Sequence, residues 1–376
     1  MMSARFLTVV LERVFNMRDG FGREIDYMRI SVIDSCNLNC YYCNPCDNNE
    51  HCHALNILSV KEVLCIVRAA TRLGIKHFRL TGGEPLLHPQ LDEMVLQIKK
   101  IPGVSSVSLT TNAVLLAQHA KWLKEAGIDS INVSLDTIDA SEYERITKKP
   151  LLEEVKHGIN AAIECGIRVK INVVLTPQTD VVALTRYVAK KGTDIRFIEM
   201  MPVGEGHTNG VEPYKKVIGT LSKLYGEPCR INTEKTKEIN SGNDKRKIPD
   251  NGPAEYYIFP ELGIRVGLIQ AIHGKFCDTC NRIRVTADGR LMPCLGSSVT
   301  MDLVPDSWDF ADDVEKDFAI VRALRAAIKA KPRCHNFNDN AVTYTKTTET
   351  KTVETKTTEL KAAEVNAARN MSRIGG

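Results

Sequence analysis

Between residues 27 and 200, apolar runs of five to eight residues alternate with longer stretches whose apolar positions recur every three or four residues. The runs at 27–33, 76–80, 105–110, 130–135, 168–175 and 194–199 predict β-strands, and the stretches at 60–73, 91–100, 115–126, 151–165 and 181–191 predict amphipathic helices. Gly74, Gly127 and Gly166 stand where these helices would end, at the cap position that favours glycine. Six strand–helix units with strongly apolar strands imply an α/β fold in which a parallel sheet is covered by helices.

A doubly wound sheet and a partial (βα)6 TIM-type barrel both satisfy that pattern, and the placement of polar residues separates them. The first strand runs into Cys36–Cys43 and the second into Thr81-Gly82-Gly83-Glu84-Pro85. The third ends at Thr110-Thr111-Asn112, the fourth at Ser134-Leu135-Asp136 and the sixth at Glu199-Met200-Met201. A doubly wound sheet gathers its site at one switch point. A barrel draws on the loop after nearly every strand, as here. The reading is therefore a partial barrel over 1–202, followed by a second, C-terminal region over 203–338.

That second region begins with a loop-rich transition and a helix near 214–225. It then carries a strand-like run at 283–286, a turn at Asp288-Gly289 and a last helix at 313–331. Residues 339–369 include near-repeats of Thr-Lys-Thr-Thr-Glu and are too poor in apolar residues to bury a core, so they read as a flexible linker. A tail at 370–376 ends in Gly375-Gly376. Residues 1–16 read as a helix packed against the barrel, since Glu12 and the lack of a serine-rich run argue against a targeting segment.

The composition of the 376-residue chain narrows the partners. Fifty basic residues against 46 acidic ones leave a net charge of +4. That is too even for a duplex nucleic-acid binder. No apolar stretch reaches membrane-spanning length. The 12 cysteines in a long chain with a large core point to reduced thiols in a reducing, cytoplasmic compartment.

Six of those cysteines carry the candidate chemistry. Cys36, Cys40 and Cys43 form C-x3-C-x2-C. Cys277 and Cys280 form C-x2-C, with Cys294 thirteen residues on. Three thiolates can hold three corners of a four-iron cluster and leave the fourth iron open, whereas electron carriers usually fill all four. Structural zinc prefers four ligands, and each set supplies three. Spacing thus favours two open-site clusters over zinc, and zinc over disulfides. Cys65 and Cys165 lie in helical patterns and read as packed core residues.

The first triplet, with Tyr42 before its last cysteine, and the Gly-Gly-Glu-Pro motif resemble radical S-adenosylmethionine (SAM) enzymes. Further motifs narrow the resemblance to the GTP 3′,8-cyclase family. They are Met28-Arg29-Ile30-Ser31-Val32, Leu80 to Leu86, Asn132 to Thr137, Arg196 to Pro202, Phe276 to Arg284 and the terminal Gly375-Gly376. The resemblance covers nearly the whole chain apart from the Thr/Lys/Glu tract.

The resemblance implies two [4Fe-4S] clusters, on Cys36, Cys40 and Cys43 and on Cys277, Cys280 and Cys294. SAM would bind the first, near Tyr42, Gly82, Gly83, Glu84, Thr111, Asn112, Ser134 and Met201. It implies a lyase in which a 5′-deoxyadenosyl radical takes hydrogen from C3′ of GTP and the sugar carbon joins C8, an early step of molybdenum cofactor biosynthesis. Arg29, Arg79, Lys170, Arg196, Arg282 and Arg284 would hold the triphosphate, as arginine forks suit phosphate. Gly375 and Gly376 would reach the site. An electron donor and a cyclic pyranopterin monophosphate synthase that receives the product are implied partners, and a homodimer is compatible with it.

The chain departs from the family at Ile33-Asp34-Ser35, where Thr-Asp-Arg is common, at Ala113, where glycine is usual, and at His77, where a lysine is expected. Cys46, Cys52 and Cys334 are additional thiols. Two other readings stay open: a radical SAM enzyme acting on a peptide or another small molecule, and a non-catalytic Fe–S or zinc protein.

Overall fold

Eight parallel strands form the centre of one sheet, and they come from both halves of the chain. The computed structural model describes residues 17–43, 56–203, 211–231, 252–297, 299–303, 313–335 and 337. The predicted N-terminal helix, Cys46, Cys52, the 339–369 linker and the Gly375-Gly376 tail lie outside the described residues.

The strands are β1 (Tyr27–Ser31), β2 (His77–Thr81), β3 (Ser106–Thr111), β4 (Ser130–Ser134), β5 (Val169–Leu175) and β6 (Asp194–Glu199). After them come β7 (Cys229–Arg230), β8 (Glu255–Ile258), β9 (Arg265–Ile269), β10 (Arg282–Val285), β11 (Arg290–Met292) and β12 (Met301–Asp302). Their order in the sheet is β12-β11-β10-β1-β2-β3-β4-β5-β6-β9-β8-β7. β10 joins β1 in parallel and β9 joins β6 in parallel, while β7, β8, β11 and β12 extend the two edges antiparallel. β9 and β10 do not pair with each other, so the sheet is an open, partial barrel.

The predicted helices form as α1 (Val60–Arg72), α2 (Leu91–Lys99), α3 (Leu116–Glu125), α5 (Leu152–Glu164) and α6 (Val181–Lys190). The pattern reading did not single out α4 (Ala140–Thr147), which lies between α3 and α5. The helix expected near 214–225 is a π-helical turn, Tyr214–Ile218, running into α7 (Gly219–Tyr225), and the last helix is α8 (Asp313–Lys329). α1 starts with a capping box. Ser59 Oγ accepts from the Glu62 N–H at 3.3 Å and the Glu62 carboxylate accepts from the Ser59 N–H at 2.6 Å. Gly74, Gly127 and Gly166 adopt φ of 86°, 89° and 67° just beyond their helices, as the cap reading requires.

The core lies between the sheet and its helices. Met28, Ile30, Phe78, Leu80, Val107, Leu109, Ile131, Val133, Ile195 and Phe197 point outward and are fully buried. The alternate residues of the same strands point inward and are polar: Tyr27 and Arg29, His77 and Arg79, Ser106 and Ser108, Asn132, Lys170 and Asn172, and Arg196. An all-apolar strand would have filled the barrel with packed side chains. The polar inward positions leave a cavity of about 800 Å³.

Candidate functional site

The cavity runs between the two cysteine triplets, and strand direction places them at opposite ends. Cys36, Cys40 and Cys43 follow the C-terminal end of β1. Cys277 and Cys280 precede β10, which is parallel to β1, so they lie at the other end. β11 is antiparallel to β10 and returns the chain there before Cys294. All six cysteines line the one cavity. The five residues of β1 separate the two ends by roughly 17 Å.

Between the triplets, register assembles a cationic wall. Arg29 on β1 pairs with Arg284 on β10 and with Arg79 on β2, so three guanidiniums stand in one row across adjacent strands. Tyr27 stands beside Arg282 and His77 in the row below. Lys170 and Arg196 face them from β5 and β6. The crowding is costly: burial first, then Arg284, holds Arg29 well below its ordinary pKa, and burial first, then Arg282, brings Arg284 down to about 10. Cations gathered in one cavity at such a cost suit an anionic ligand.

These cations do not all stand alike. Arg79 donates its Nε to the Tyr27 hydroxyl and a second nitrogen to Thr110 Oγ1 at 3.4 Å, so it is partly engaged. Arg196 is 4% exposed. Its Nε donates to Asn172 Oδ1 at 2.9 Å and one terminal nitrogen has no protein acceptor. Asn132 Oδ1 is likewise buried without a donor. Orphaned buried polar atoms lining a cavity are what a bound polar ligand would satisfy. His77, at the expected lysine position, hydrogen-bonds through Nδ1 to Ser106 Oγ at 2.8 Å, and burial lowers its pKa, so it adds no charge at neutral pH.

The first triplet sits in a loop held from several sides. Gly83 N donates to Ile33 O at 2.7 Å and Glu84 N to Ser35 O at 2.8 Å. A methyl on Gly82 would lie 2.4 Å from Ile33 O, and one on Gly83 only 2.3 Å from Ser35 O. The glycines are thus required by the backbone that leads into Cys36, whatever ligand they also approach. Gly83→Ala should cost about 1–3 kcal/mol in stability, as overpacking does. It should also lower iron retention at the first triplet more than at the second; thermal melts with iron counts would check both, and equal loss at both triplets would refute it.

Glu84 is fully buried and braces the end of β3. It accepts from Thr111 Oγ1 and Asn112 N at 2.7 Å each and from Leu86 N at 3.0 Å. Thr111 Oγ1 also accepts from Ala113 N at 2.9 Å, so both Thr111 and Glu84 act here by shaping the loop. Asn112 reaches Asn37 Oδ1 at 2.7 Å and Cys36 Sγ at 3.8 Å. Ala113, where glycine is usual, takes the left-handed φ of 65° that position demands.

Burial raises the Glu84 pKa to about 7, against the pull of its three donors. A carboxyl raised in the folded state binds its proton more tightly there. Its contribution therefore favours folding below about pH 4.5 and is lost as pH rises towards 7. A carboxyl band titrating near neutrality in infrared difference spectra, absent in Glu84→Gln, is the expected signature. Titration of that band near the ordinary carboxylate value would refute the assignment.

Tyr42 donates to Asp136 Oδ2 at 2.5 Å, and Asp136 Oδ1 accepts from Val174 N at 2.8 Å. The residue before the third cysteine is thereby tied to the ends of β4 and β5, and burial raises Asp136 to about 6. Ser134 and Met201 also line the cavity at this end, and the Met201 carbonyl accepts from Val203 N at 2.8 Å.

All ten described cysteines are free thiols, and no group of three or more His, Cys, Asp or Glu among the described residues is gathered to hold a single metal ion. Each triplet nevertheless shares one end of the cavity, close enough that its thiols raise each other's pKa values. Thiols that converge on one space without meeting at one point fit a polynuclear cluster, whose ligands attach to different irons. At the first triplet burial pushes Cys36 to about 12 and Cys43 to about 11. At the second, Arg282 and Lys331 outweigh burial and bring Cys280 down to about 7.

Several contacts here carry no local sequence signal. Glu199 accepts from Ile272 N at 2.7 Å, from His273 N at 3.1 Å and from the His273 ring, and so fixes the segment that crosses the open side of the barrel. Asn281 donates to Asp26 Oδ1 at 2.6 Å, locking the start of β10 beside β1. Arg23, Lys331 and His335 surround the second triplet. The contacts of Glu199, Asn281 and Arg23 join segments more than seventy residues apart.

The sequence profile of the radical SAM superfamily matches residues 30–183, and that of molybdenum cofactor synthesis C matches 193–337. A GTP 3′,8-cyclase of Clostridium perfringens (strain SM101 / Type A) is 35% identical over 324 residues, 85% of this chain and 95% of the relative. A GTP 3′,8-cyclase of Pelotomaculum thermopropionicum is 36% identical over 327 residues, with the same coverage of each. Among solved structures, Streptococcus suis SuiB bound to S-adenosylmethionine shares the fold. Its TM-score is 0.53 at 15% identity, covering 81% of this chain and 68% of that one.

Proposed function

The chain belongs to the GTP 3′,8-cyclase family within the radical SAM superfamily, and on that premise we propose how its own residues serve the conversion of GTP to (8S)-3′,8-cyclo-7,8-dihydroguanosine 5′-triphosphate in molybdenum cofactor biosynthesis. The observation that carries the proposal is the row Arg284–Arg29–Arg79, set in one cavity between two three-cysteine ends. A nucleoside triphosphate offers several negative charges for these cations and a polar base for the far end.

Cys36, Cys40 and Cys43 would hold one four-iron cluster, and Cys277, Cys280 and Cys294 the other. SAM with the first cluster supplies one-electron cleavage and hydrogen abstraction when bound. The chain itself binds, orients and shields. Arg29, Arg284, Arg282, Lys170 and Arg196 would hold the triphosphate, with Arg79 steered by Tyr27. Asn132 and the free nitrogen of Arg196 would complete their hydrogen bonds on the ligand. Glu84, Thr111 and Asn112 keep the first cysteine loop in place. Enclosure by the barrel keeps water and stray hydrogen donors from the reacting carbons.

The Gly375-Gly376 tail is proposed to enter the cavity, and 1–202, 203–338, 339–369 and 370–376 to act as barrel, auxiliary region, tether and tail. No helix among the described residues is long and apolar enough to cross a membrane. A cytoplasmic setting, an electron donor and a synthase that consumes the product complete the proposal.

The test is an anaerobic assay of reconstituted protein with SAM, reductant and GTP. 5′-Deoxyadenosine should appear together with a GTP isomer, both dependent on GTP. 5′-Deoxyadenosine with unchanged GTP would point to another substrate.

A further inference from the structure

Residues 331–335, just beyond α8, reach every part of the second triplet, and the function described above assigns them nothing. Lys331 is 2% exposed. Its ammonium donates to Arg282 O at 2.8 Å and Pro293 O at 2.9 Å, and also to the Cys280 sulfur. The carbonyls belong to the residues two after Cys280 and one before Cys294, so one side chain joins two of the three cysteine loops. The third is held by His335, whose backbone N–H donates to the Cys277 sulfur and whose Nε2 bonds Ala271 O at 2.8 Å.

The segment is itself anchored from the other end of the chain. Arg23 donates to Pro332 O at 2.6 Å, Arg333 O at 2.9 Å and Cys277 O at 2.7 Å, while its Nε meets Asp19 Oδ2 at 2.5 Å. Four of its five donors are thus used on a buried, paired guanidinium, an arrangement that lysine cannot reproduce. A helix that only packed against the sheet would need no such set of charged donors aimed at carbonyls and sulfurs.

We propose that residues 331–335, with Arg23 as their anchor, are a clasp that positions Cys277, Cys280 and Cys294 for the auxiliary cluster, and that the Lys331 ammonium sets that cluster's reduction potential. This rests on reading the second triplet as a cluster site. A cation beside a ligand sulfur favours the state with one more electron, so it raises the potential. Lys331 and Arg23 are positioning residues: they touch the ligand loops, not the substrate.

The experiment compares reconstituted full-length parent protein with Lys331→Met and Arg23→Lys. Iron content, electron paramagnetic resonance spectra and the midpoint potential of each cluster are measured. Lys331→Met should shift the second cluster's potential negative or lose that cluster. Arg23→Lys should lower its occupancy, with iron falling towards half the parent value. Both should keep the first cluster's spectrum and its SAM cleavage. Second-cluster iron and potential unchanged in both variants would overturn the clasp.

A parent protein that never holds more than one cluster would overturn the reading of the second triplet instead. If neither variant folds, the parent protein decides by hydrogen exchange. Amides at 331–335 should exchange more slowly once the second triplet is loaded, and equal exchange with and without iron would overturn the clasp.

Discussion

Cys40→Ser should reduce formation of 5′-deoxyadenosine by a factor on the order of 10⁴ or more, as loss of one member of a catalytic unit does. About half of the bound iron should remain. The three thiols of the first triplet share one end of the cavity and are each within reach of the others' charge. A hydroxyl in place of one removes a corner that no neighbouring described residue replaces. The second triplet lies at the far end of β1 and should keep its cluster. Iron counting and SAM-cleavage assays on one preparation test both halves. Retained activity would mean that another thiol, with Cys46 the nearest in sequence, takes the place of Cys40.

The same burial makes loading of this site depend on pH. Cys36 and Cys43 stand at about 12 and about 11, and Cys40 is raised further, because burial disfavours their thiolates. Cluster assembly must therefore release protons and should proceed more readily as pH rises.

Arg284→Ala is expected to weaken GTP binding by about 30- to 4,000-fold. That corresponds to the roughly 2–5 kcal/mol for truncating one partner of a buried charge pair, at 1.4 kcal/mol per tenfold. The same substitution should raise the melting temperature of the protein without GTP. Arg284 is buried in a row with Arg29 and Arg79 and beside Arg282.

The sign follows from its pKa, which burial and Arg282 lower to about 10. A cation whose folded pKa is depressed costs stability wherever it is charged in both states, and regains it only as pH rises from about 10 towards 12.5. At neutral pH the charged Arg284 is therefore a stability cost retained for ligand binding. Because the side chain borders an existing cavity, its removal seals no new void. Thermal melts with and without GTP decide the matter. A higher melting point with no GTP-induced shift is expected. A lower melting point without GTP would show that Arg284 holds the fold rather than the substrate.

Much of this was legible along the chain. The six parallel strands and their helices appear within one or two residues of the predicted bounds, because each is set by the local apolar period. Five of the six cysteines were legible for a similar reason: thiols within three or four residues of one another must share a loop. Arg29 could be marked because a lone arginine in an apolar strand has to face a polar space, and Arg282 and Arg284 because i, i+2 residues share a strand face.

Other features were not legible. The hydrogen bond from Thr111 to Glu84, which braces the end of β3, joins residues 27 positions apart and has no local signal. The glycines Gly82 and Gly83 read as making room for a ligand, but they also make room for the backbone of residues 33–35.

The sequence by itself determined the six strands of the first half with the helices between them, their direction, and the close-spaced thiols of each set, since all of these follow from spacing over a few residues. Only the tertiary structure decided that Arg284, Arg29 and Arg79 form one row, that the triplets face each other from opposite ends of one cavity, and that Arg23 meets Cys277. Those facts depend on which strands pair and in what register. Pairing of β10 with β1 is fixed by how the whole sheet closes, through contacts between residues more than 250 positions apart, and no local period encodes a partner at that distance.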